Sequence, residues 1–364
     1  MSEGGAQRQL SILVNFLSDQ GWSITVLTFD DGSSPSFYKL RLSVQLIPLS
    51  IMRHQKGFLR SLTIPFLRPW ILRKAILKNK PDVVIPFLDL TNILTVLSTI
   101  GLAIPVIAAE RTHPKYHQMG KLWGGLRNWA YRRASCVVVQ TEISLSFFSP
   151  EIQRRSRVIP NPVIALENCN IDSPTTTFKD TKTLIAIGRL SKEKGFDLLL
   201  MAFVKVVNSC PDWKLVIWGE GDQREKLEYL TEELGLTGKV SFPGVTRKPH
   251  EKMRESDLFV LSSQFEGFPN VLCEAMACGL PVISFNCQSG PGTIIRDGYD
   301  GILVPPGAVA ELAVTLEKVM KDAGLRASLG KNASEITRRF SIHKVARMWE
   351  ELFLSIPKMI RENN

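Results

Sequence analysis

The sequence lacks a long uninterrupted apolar run, a close cysteine pair and an apolar segment near residue 1, and each absence excludes a class of protein. Its longest apolar stretch, Val83 to Ala109, is interrupted by Pro86, Asp89, Asn92 and Pro105, which favours a strand, a helix and a second strand over a membrane span. The six cysteines are scattered without a Cys-x-x-Cys pair, which argues against a disulfide framework and a zinc site. Residues MSEGGAQRQ hold no apolar core of the kind that a secretory signal needs. We therefore expect a protein of the reducing cytoplasm.

Acidic residues are scarce in the first part of the chain only. Residues 1–160 carry 20 Lys and Arg against nine Asp and Glu, whereas residues 161–364 carry 25 against 26. The net charge of +10 is therefore concentrated in the first half, which predicts that this half meets a membrane surface, a phosphorylated molecule or nucleic acid. An ordinary solvated surface is the alternative. No recognised nucleic-acid motif accompanies the charge, so we expect no nucleic-acid partner.

Short β-branched runs alternate with amphipathic stretches along the whole chain. In the first half the predicted strands are Ser23–Phe29, Asp82–Phe87, Pro105–Ala109 and Ser135–Gln140. In the second half they are Thr183–Gly188, Lys214–Trp218, Val240–Phe242, Leu258–Leu261, Val282–Phe285 and Gly301–Val304. This alternation predicts an α/β protein whose parallel sheets are doubly wound with right-handed crossovers.

The length of 364 residues exceeds what one hydrophobic core usually organises, so two domains are expected. A polar, aperiodic stretch lies between Ile159 and Thr181, which places the hinge there. We predict a first domain over residues 1–160 and a second over 161–341. The amphipathic pattern that starts at Ile342 predicts a helix within residues 342–364 that crosses back onto the first domain.

The first helical pattern, Ala6–Gln20, begins directly after Gly4 and Gly5. A glycine turn that opens a helix normally follows a strand, and no strand precedes this one. We therefore expect the first sheet to lack its first strand, and we interpret this as a truncated N-terminus.

The sharpest local signal runs from Thr183 to Val207, where a buried strand, a basic turn and a helix follow one another. The turn places Arg189 and Lys194 beside a helix N-terminus at the carboxyl end of a parallel strand. Two cations and unpaired backbone N–H groups suit a diphosphate, and they would stabilise the negative charge that grows on a departing diphosphate. The alternative is a solvated turn with two surface cations.

A second signal follows the strand Leu258–Leu261. Pro269 suits the first position of a helix that ends near Gly279, because a helix start does not need the N–H that proline lacks. The free N–H groups of residues 270–272 would then point toward an anion. Glu266 would precede this helix and Glu274 would lie in its second turn, where a carboxylate can accept two hydrogen bonds from vicinal hydroxyls. Taken alone, the two carboxylates could also be a solvated pair.

Together, the Gly-Arg-Leu-x-x-x-Lys-Gly turn from Gly188 and the glutamates at 266 and 274 closely resemble the retaining glycosyltransferases of family four. The resemblance covers essentially the whole chain and is strongest from Gly188 to Gly307. It implies the GT-B fold, in which two doubly wound Rossmann-like domains face a cleft. It also implies transfer of a hexose, with retention, from a nucleotide diphosphate sugar (UDP is the commonest carrier) to a glycan or lipid-linked glycan in polysaccharide biosynthesis.

The resemblance also assigns roles. Residues expected to bind the donor are Gly188, Arg189, Lys194, Phe268, Asn270, Val271, Leu272 and Glu274. Of these, the cations would hold the diphosphate and Glu274 the ribose hydroxyls, while Glu266 would contact the hexose as a catalytic residue. Gly4 and Gly5 match the glycine-rich loop that faces the donor phosphates and the acceptor.

Family members place a polar residue beside the transferred sugar where this sequence has His113, which is therefore a catalytic candidate. A structural histidine is the alternative, and Glu110 and Arg111 are adjacent candidates. Asn161 corresponds to a hinge asparagine that follows a proline. The sequence has no Asp-x-Asp cluster, and Arg189 and Lys194 can do the work of a metal, so we expect neither a metal nor a cofactor.

Basic residues and large apolar residues are interleaved from Met52 to Lys80, a pattern that favours an interface with anionic lipid. A polyprenyl-diphosphate-linked glycan would suit this half of the chain as acceptor, which predicts a peripheral location at the inner face of the cell membrane. The alternative is that the aromatic residues are core and the cations their solvated rim.

Other functions fit less well. A dinucleotide-dependent oxidoreductase would share the architecture, and Gly219-Glu220-Gly221 nearly imitates its fingerprint, but Arg224 replaces the third glycine. No Walker-type phosphate loop occurs. A sugar-nucleotide epimerase of the same fold and an inactive donor-binding homologue stay open as alternatives.

Overall fold

The computed structural model describes residues 5–34, 36–51, 58–111, 120–165, 181–288 and 290–362, which divide into two compact units. The first unit holds the described residues up to Pro162 together with those from Ile342 onward, and the second holds Val163–Ser341. Both units are built from helices and parallel strands, as the alternating pattern predicts.

In the first unit, the described helices are α1 (Gly5–Asp19), α2 (Phe58–Asn79), α3 (Asp89–Ser98), α4 (Gly120–Arg133), α5 (Glu142–Ser146), α6 (Pro150–Arg154) and α15 (Ile342–Glu362). The strands are β1 (Thr25–Thr28), β2 (Gln45–Pro48), β3 (Ile107–Ala109), β4 (Cys136–Val139) and β5 (Ser156–Val158). Strands β1 and β2 pair in parallel, and β3, β4 and β5 form a second parallel sheet in that order. Strands β2 and β5 were not predicted from the sequence.

The predicted strand Asp82–Phe87 is not continuous. Of its residues, only Val84 and Phe87 pair with the segment around β3, through isolated bridges to Val106 and Ala109. Pro86 explains the interruption, because it accepts a hydrogen bond from Ala109 N–H (3.1 Å) but has no N–H of its own to donate to the ladder.

Helix α15 completes the core of the first unit. Its Trp349 is 1% exposed and packs in one cluster with Leu13 of α1 and Ile107 of β3. Burial of an aromatic side chain of this size contributes roughly 2–3 kcal/mol to folding. The residues that follow the second unit therefore supply part of the first unit's hydrophobic interior.

In the second unit, the α-helices are α7 (Phe196–Phe203), α8 (Arg224–Glu233), α9 (Pro249–Arg254), α10 (Asn270–Ala277), α11 (Pro291–Ile294), α12 (Val309–Lys321), α13 (Ala323–Ala333) and α14 (Ile336–Arg339). The strands are β6 (Lys182–Ile187), β7 (Trp213–Trp218), β8 (Val240–Gly244), β9 (Leu258–Leu261), β10 (Val282–Phe285) and β11 (Ile302–Val304). They form one six-stranded parallel sheet in the order β11-β10-β9-β6-β7-β8, with apolar clusters on both faces.

Strands β6 and β9 are neighbours at the centre of this sheet, although more than 70 residues separate them in sequence. Leu184 pairs with Leu258 and Ile185 with Phe259. Because the strands are parallel, the loops that follow their carboxyl ends emerge side by side, at the edge where open α/β sheets bind ligands. These are the two loops that the sequence analysis singles out.

Across the described ranges, every helix is too short or too polar to cross a lipid bilayer.

Candidate functional site

The loop after β6 is held against the loop after β7 by backbone hydrogen bonds. Gly188 N–H donates to the carbonyl of Trp218 (2.9 Å), and Leu190 N–H donates to that of Glu220 (2.9 Å). A Cβ atom at Gly219 or Gly221 would overlap the carbonyl oxygens of Gly188 and Leu190, so only glycine allows this approach. The resemblance of this glycine pair to a dinucleotide fingerprint thus has a packing explanation.

The same loop also fastens to the loop after β9. A short 3₁₀ turn at Lys192–Lys194 ends at Gly195, whose φ of 61° lies in the left-handed region, and a Cβ there would overlap the carbonyl oxygen of Ser262. Ser262 Oγ donates to the carbonyl of Lys194 (2.8 Å), and Gln264 N–H donates to that of Glu193 (2.8 Å). The two predicted motifs therefore form one connected structure.

Lys194 and Glu266, which the resemblance assigns to the diphosphate and the hexose, are ion-paired. Lys194 Nζ lies 2.6 Å from Glu266 Oε1, and the two side chains are 22% and 12% exposed. Ser263 Oγ donates to the same carboxylate oxygen (2.7 Å). A charge-assisted hydrogen bond in this half-buried setting fixes both side chains at the sheet edge.

Arg189 differs from Lys194 in its surroundings. Its side chain is exposed, and within the described part of the chain its guanidinium has no ion-pair or hydrogen-bond partner. The loop therefore presents one cation held by Glu266 and a second cation open to an anionic ligand.

Helix α10 begins one residue later than predicted. Pro269 is the N-cap, with a non-helical ψ of 89°, and the helix starts at Asn270. The carbonyl of Pro269 accepts from the N–H groups of Leu272 (3.1 Å) and Cys273 (3.3 Å). The prediction that the Leu272 amide is free is thus wrong, because the cap carbonyl already uses it.

Two of the predicted donor-binding residues, whose backbone amides were expected to contact the donor, have side chains that belong to the core. Leu272 is 0% exposed and Phe268 is 6% exposed, and the Phe268 ring packs edge-on against Phe340, with 5.7 Å between ring centroids. Asn270 and Val271 are half-buried at the helix start. The side chains of Phe268 and Leu272 therefore anchor the loop, while Asn270 and Val271 keep some exposed surface at the helix start.

Glu274 lies in the second turn of α10, as predicted, and has a neighbour that the sequence analysis missed. His250 Nε2, on helix α9, lies 3.7 Å from Glu274 Oε2, and the two side chains are 24% and 16% exposed. The spacing of residues in the sequence does not predict this contact, because the contact depends on how α9 packs against α10.

In the first unit, Gly4 and His113 lie outside the described residues. Gly5 is the first residue of α1 and is exposed. Glu110 and Arg111 directly follow β3, so they lie at the carboxyl edge of the first unit's sheet. Arg111 Nη1 donates to Asn161 Oδ1 (3.0 Å), and its guanidinium carbon lies 4.7 Å from the centroid of the Phe87 ring.

Glu110 is the acceptor of a buried network. The residue is 1% exposed, and its carboxylate accepts from Arg111 N–H (3.0 Å) and Tyr131 Oη (2.7 Å). Asn92 Nδ2 in turn donates to Tyr131 Oη (2.9 Å). Glu110 and Arg111 were candidates from the sequence, whereas Tyr131 and Asn92, which helices α4 and α3 supply, were not predicted.

The surroundings of this network shift the pKa values of Tyr131 and Arg111. Burial raises the pKa of the Tyr131 phenol well above its ordinary value, and the Glu110 charge adds to the effect. Burial also lowers the pKa of the Arg111 guanidinium to about 10, against the opposing attraction of Glu110. Both shifts follow from charge being costly in a poorly solvated site, so at neutral pH Tyr131 acts as a donor and Arg111 as a cation.

In the ranges described, no cluster of three or more His, Cys, Asp or Glu side chains is arranged to hold a metal ion. The expectation that the reaction needs no metal stays a prediction.

Part of the basic segment forms an exposed stripe on α2. The stripe comprises Leu67, Trp70, Lys74, Leu77 and Lys78. These positions repeat every three or four residues and so share one helix face. The ammonium of Lys74 lies 3.7 Å from the Trp70 ring centroid. The opposite face is buried through Leu72 and Ile76.

Arg73, one of the predicted surface cations, has a structural role instead. Its Nη1 donates to the carbonyls of Ser98 (3.0 Å) and Ile100 (2.7 Å), at and just beyond the end of α3. Orphan carbonyls at a helix end attract a cation in this way. Residues 52–57 of the predicted basic segment lie outside the described residues.

Comparison with known proteins places both units in one group of enzymes. Residues 3–165 match the family model described as Glycosyltransferase Family 4. Residues 170–336 match the model described as Glycosyl transferases group 1. The chain is 30% identical, over 98% of its own length and 96% of the relative's, to an α-1,4-N-acetyl-D-galactosaminyltransferase of Campylobacter jejuni whose name specifies a diphospho-undecaprenol-linked GalNAc-GalNAc-diNAcBac glycan.

Solved structures agree on the fold. Anabaena HepE, in a complex with UDP and glucose, superposes with a TM-score of 0.78 at 19% identity, and the match covers 97% of each chain. The lipopolysaccharide outer core galactosyltransferase WaaB, in its apo form, superposes with a TM-score of 0.76 at 20% identity, covering 97% of this chain and 96% of WaaB. These similarities confirm the GT-B fold expected from the sequence, and the matched families confirm the resemblance: the chain belongs to the glycosyltransferases.

Proposed function

We propose that this glycosyltransferase moves a hexose or N-acetylhexosamine, with retention of anomeric configuration, from a UDP-sugar to a lipid-linked glycan. The observation that carries the proposal is the joined pair of loops after β6 and β9, where Lys194 is ion-paired with Glu266 and Arg189 lies exposed on the same loop as Lys194. Fold and family support the same reaction, and the N-acetylgalactosamine in the name of the Campylobacter relative adds acetamido sugars to the donors worth testing.

Donor binding would use each charged group for one part of the ligand. Arg189, which is exposed, would meet the diphosphate first, and Lys194 would turn from Glu266 to the same diphosphate. Glu274, in the second turn of α10, would accept hydrogen bonds from the two ribose hydroxyls, since a carboxylate offers two acceptor oxygens. Glu266, once released from Lys194, would accept from hydroxyls of the sugar.

In the reaction, the bond between the anomeric carbon and the β-phosphate oxygen breaks, and a bond from the acceptor hydroxyl oxygen to that carbon forms. The electron pair of the broken bond leaves with UDP, and Arg189 and Lys194 would stabilise its growing charge. Retention without a covalent sugar–enzyme intermediate requires attack from the face that the diphosphate leaves, so the departing phosphate oxygen would take the hydroxyl proton. On this account the two cations replace a metal ion.

On the acceptor side, the exposed α2 stripe supports a membrane-bound substrate. Leu67, Trp70 and Leu77 offer apolar surface, while Lys74 and Lys78 offer positive charge. Alternating apolar and basic groups suit the boundary between anionic headgroups and acyl chains. We therefore propose a polyprenyl-diphosphate-linked glycan as acceptor and a peripheral position of the enzyme on the cytoplasmic face of the membrane. His113 stays a proposed catalytic residue of this side.

The first test is thermal unfolding of the wild type, Glu274→Ala and the control Glu311→Ala with UDP, GDP and ADP. A nucleotide at about 100 times its dissociation constant adds roughly 2.7 kcal/mol to the free energy of unfolding. UDP is expected to stabilise the wild type and Glu311→Ala, an exposed glutamate on α12, but to lose its effect on Glu274→Ala. If none of the three nucleotides stabilises the wild type, the donor proposal is wrong.

A transfer assay separates the remaining alternatives. UDP-glucose, UDP-galactose and their N-acetylated forms are incubated with a polyprenyl-diphosphate-linked glycan, with and without EDTA, and the product anomer is assigned by NMR. Acceptor-dependent UDP release with an axial product linkage and no EDTA effect supports the proposal. Free epimerised UDP-sugar would identify an epimerase instead, and binding without either product an inactive homologue.

A further inference from the structure

We propose that His250 is a positioning residue that sets the orientation of the Glu274 carboxylate toward the ribose, and that it thereby strengthens the preference for ribonucleotides over 2′-deoxyribonucleotides. The inference rests on the proposed role of Glu274. His250 belongs to α9, outside both sequence motifs, and its imidazole Nε2 lies 3.7 Å from Glu274 Oε2. It does not itself need to touch the donor.

His250 is held in place from two sides. Cys278 Sγ contacts the carbonyl oxygen of His250 (3.9 Å). Cys278 is the C-cap of α10 and follows Glu274 by four residues, so the two residues lie on the same side of the helix. Met253, one turn further along α9, is 0% exposed in the core that also contains Leu272. The backbone of α9 is thus docked on α10, and the imidazole reaches one turn back to the carboxylate.

The burial of the pair makes the contact effective. The His250 and Glu274 side chains are 24% and 16% exposed, so both lie partly out of water while keeping some surface. A carboxylate in such a setting keeps a fixed plane when a neighbouring group engages one of its oxygens. Two ribose hydroxyls can be bound together only when that plane faces them, because each hydroxyl must reach its own lone pair.

The test compares UDP with 2′-deoxy-UDP by isothermal titration, in wild type and His250→Ala. Since a hydrogen bond to a charged group is stronger than one between neutral groups, we expect the wild type to bind UDP about tenfold or more tightly than 2′-deoxy-UDP. In His250→Ala, UDP affinity should fall about tenfold while 2′-deoxy-UDP affinity changes about twofold or less, so that the discrimination largely disappears.

Two further variants make the result specific. His250→Gln keeps an N–H donor near the position of Nε2 and should restore most of the discrimination, and it also serves if His250→Ala does not fold. Lys248→Ala removes an exposed charge from the N-cap of α9 and should leave both affinities unchanged.

The outcomes separate this inference from the function it rests on. Equal weakening of both nucleotides in His250→Ala would show a merely structural role and overturn the inference, as would unchanged discrimination. If the wild type binds UDP and 2′-deoxy-UDP equally, Glu274 does not hold the ribose, and the inference fails with that role while diphosphate binding stands. If the wild type binds neither, the proposed donor itself is wrong.

Discussion

Lys194 and Glu266 neutralise each other across 2.6 Å, although the family resemblance assigns one to the diphosphate and the other to the sugar. They belong to loops that follow neighbouring strands of the sheet, so the order of the strands brings these two opposite charges together. On the proposed donor roles, binding would replace this ion pair by contacts to the ligand, because a half-buried cation and carboxylate each need a partner.

Replacing Glu266 by Gln should therefore separate diphosphate binding from catalysis. UDP, which lacks the sugar, is expected to bind about three- to tenfold more tightly, since Lys194 no longer has a competing partner worth about 1 kcal/mol. Transfer is expected to fall by about 100-fold or more, because the contact to the hexose weakens. Titration calorimetry and steady-state kinetics measure the two effects, with Glu311→Gln as control. Weaker UDP binding by Glu266→Gln would contradict the competition.

Replacing Gly195 by alanine should destabilise the protein through steric overlap as well as backbone strain, and Gly238 is a control that separates the two effects. Gly195 and Gly238 both have positive φ, 61° and 79°, but only at Gly195 does a Cβ atom meet a neighbouring backbone, that of Ser262. Gly238→Ala is expected to cost about 1 kcal/mol of unfolding free energy through backbone strain alone. Gly195→Ala should cost about 1–3 kcal/mol more, as measured by urea unfolding. Equal losses would mean that the two loops separate without cost.

Tyr131→Phe should destabilise the protein because it removes the O–H group that donates to buried Glu110 (2.7 Å). A buried carboxylate oxygen that loses a donor costs about 1–3 kcal/mol. Tyr299→Phe is the matched control, since the Tyr299 hydroxyl donates to Glu335 (3.0 Å) at an exposed position, and it should change stability by less than about 0.5 kcal/mol. Urea unfolding of the two variants at pH 7 makes the comparison, and similar small effects would show that Glu110 finds another donor.

The α2 stripe predicts binding to anionic vesicles. Trp70→Ala and Lys74→Glu should each reduce co-sedimentation with phosphatidylglycerol vesicles by about fivefold or more. The first removes an exposed aromatic side chain that would insert into the membrane surface, and the second reverses a charge worth about 1 kcal/mol near such a surface. Tyr229→Ala and Lys318→Glu, at exposed positions of the second unit, should have no effect. Neutral phosphatidylcholine vesicles should bind every variant weakly. Equal binding of Trp70→Ala and wild type would place the membrane contact elsewhere.

The sequence predicted best what local periodicity encodes. Buried central strands such as β9 and β10 were placed to the residue, because an apolar run bounded by polar turns leaves few alternatives. Pro86 interrupted a predicted strand since one missing N–H outweighs the propensity of its neighbours. Arg73 was expected at the surface, but its guanidinium donates to a free carbonyl at the C-terminal end of α3. The sequence pattern of α2 alone does not reveal this contact.

The candidate site divides in the same way. Lys194 and Glu266 were identified because each belongs to one of the two sequence motifs. Their ion pair could not be predicted in this way, because it depends on the order of strands in the sheet. His250 and Tyr131 were missed because each contacts a residue of a different structural element, and packing between elements lies outside what one segment of sequence specifies.

The position of helix α15 has a consequence for synthesis on the ribosome. The second unit is one continuous stretch, Val163–Ser341, so it can fold as soon as that stretch has emerged. The first unit emerges earlier but cannot close its core until Trp349 arrives beside Leu13 and Ile107. Until then, part of its apolar surface stays exposed to solvent. A chain that stalls before residue 342 would therefore bind chaperones and tend to aggregate.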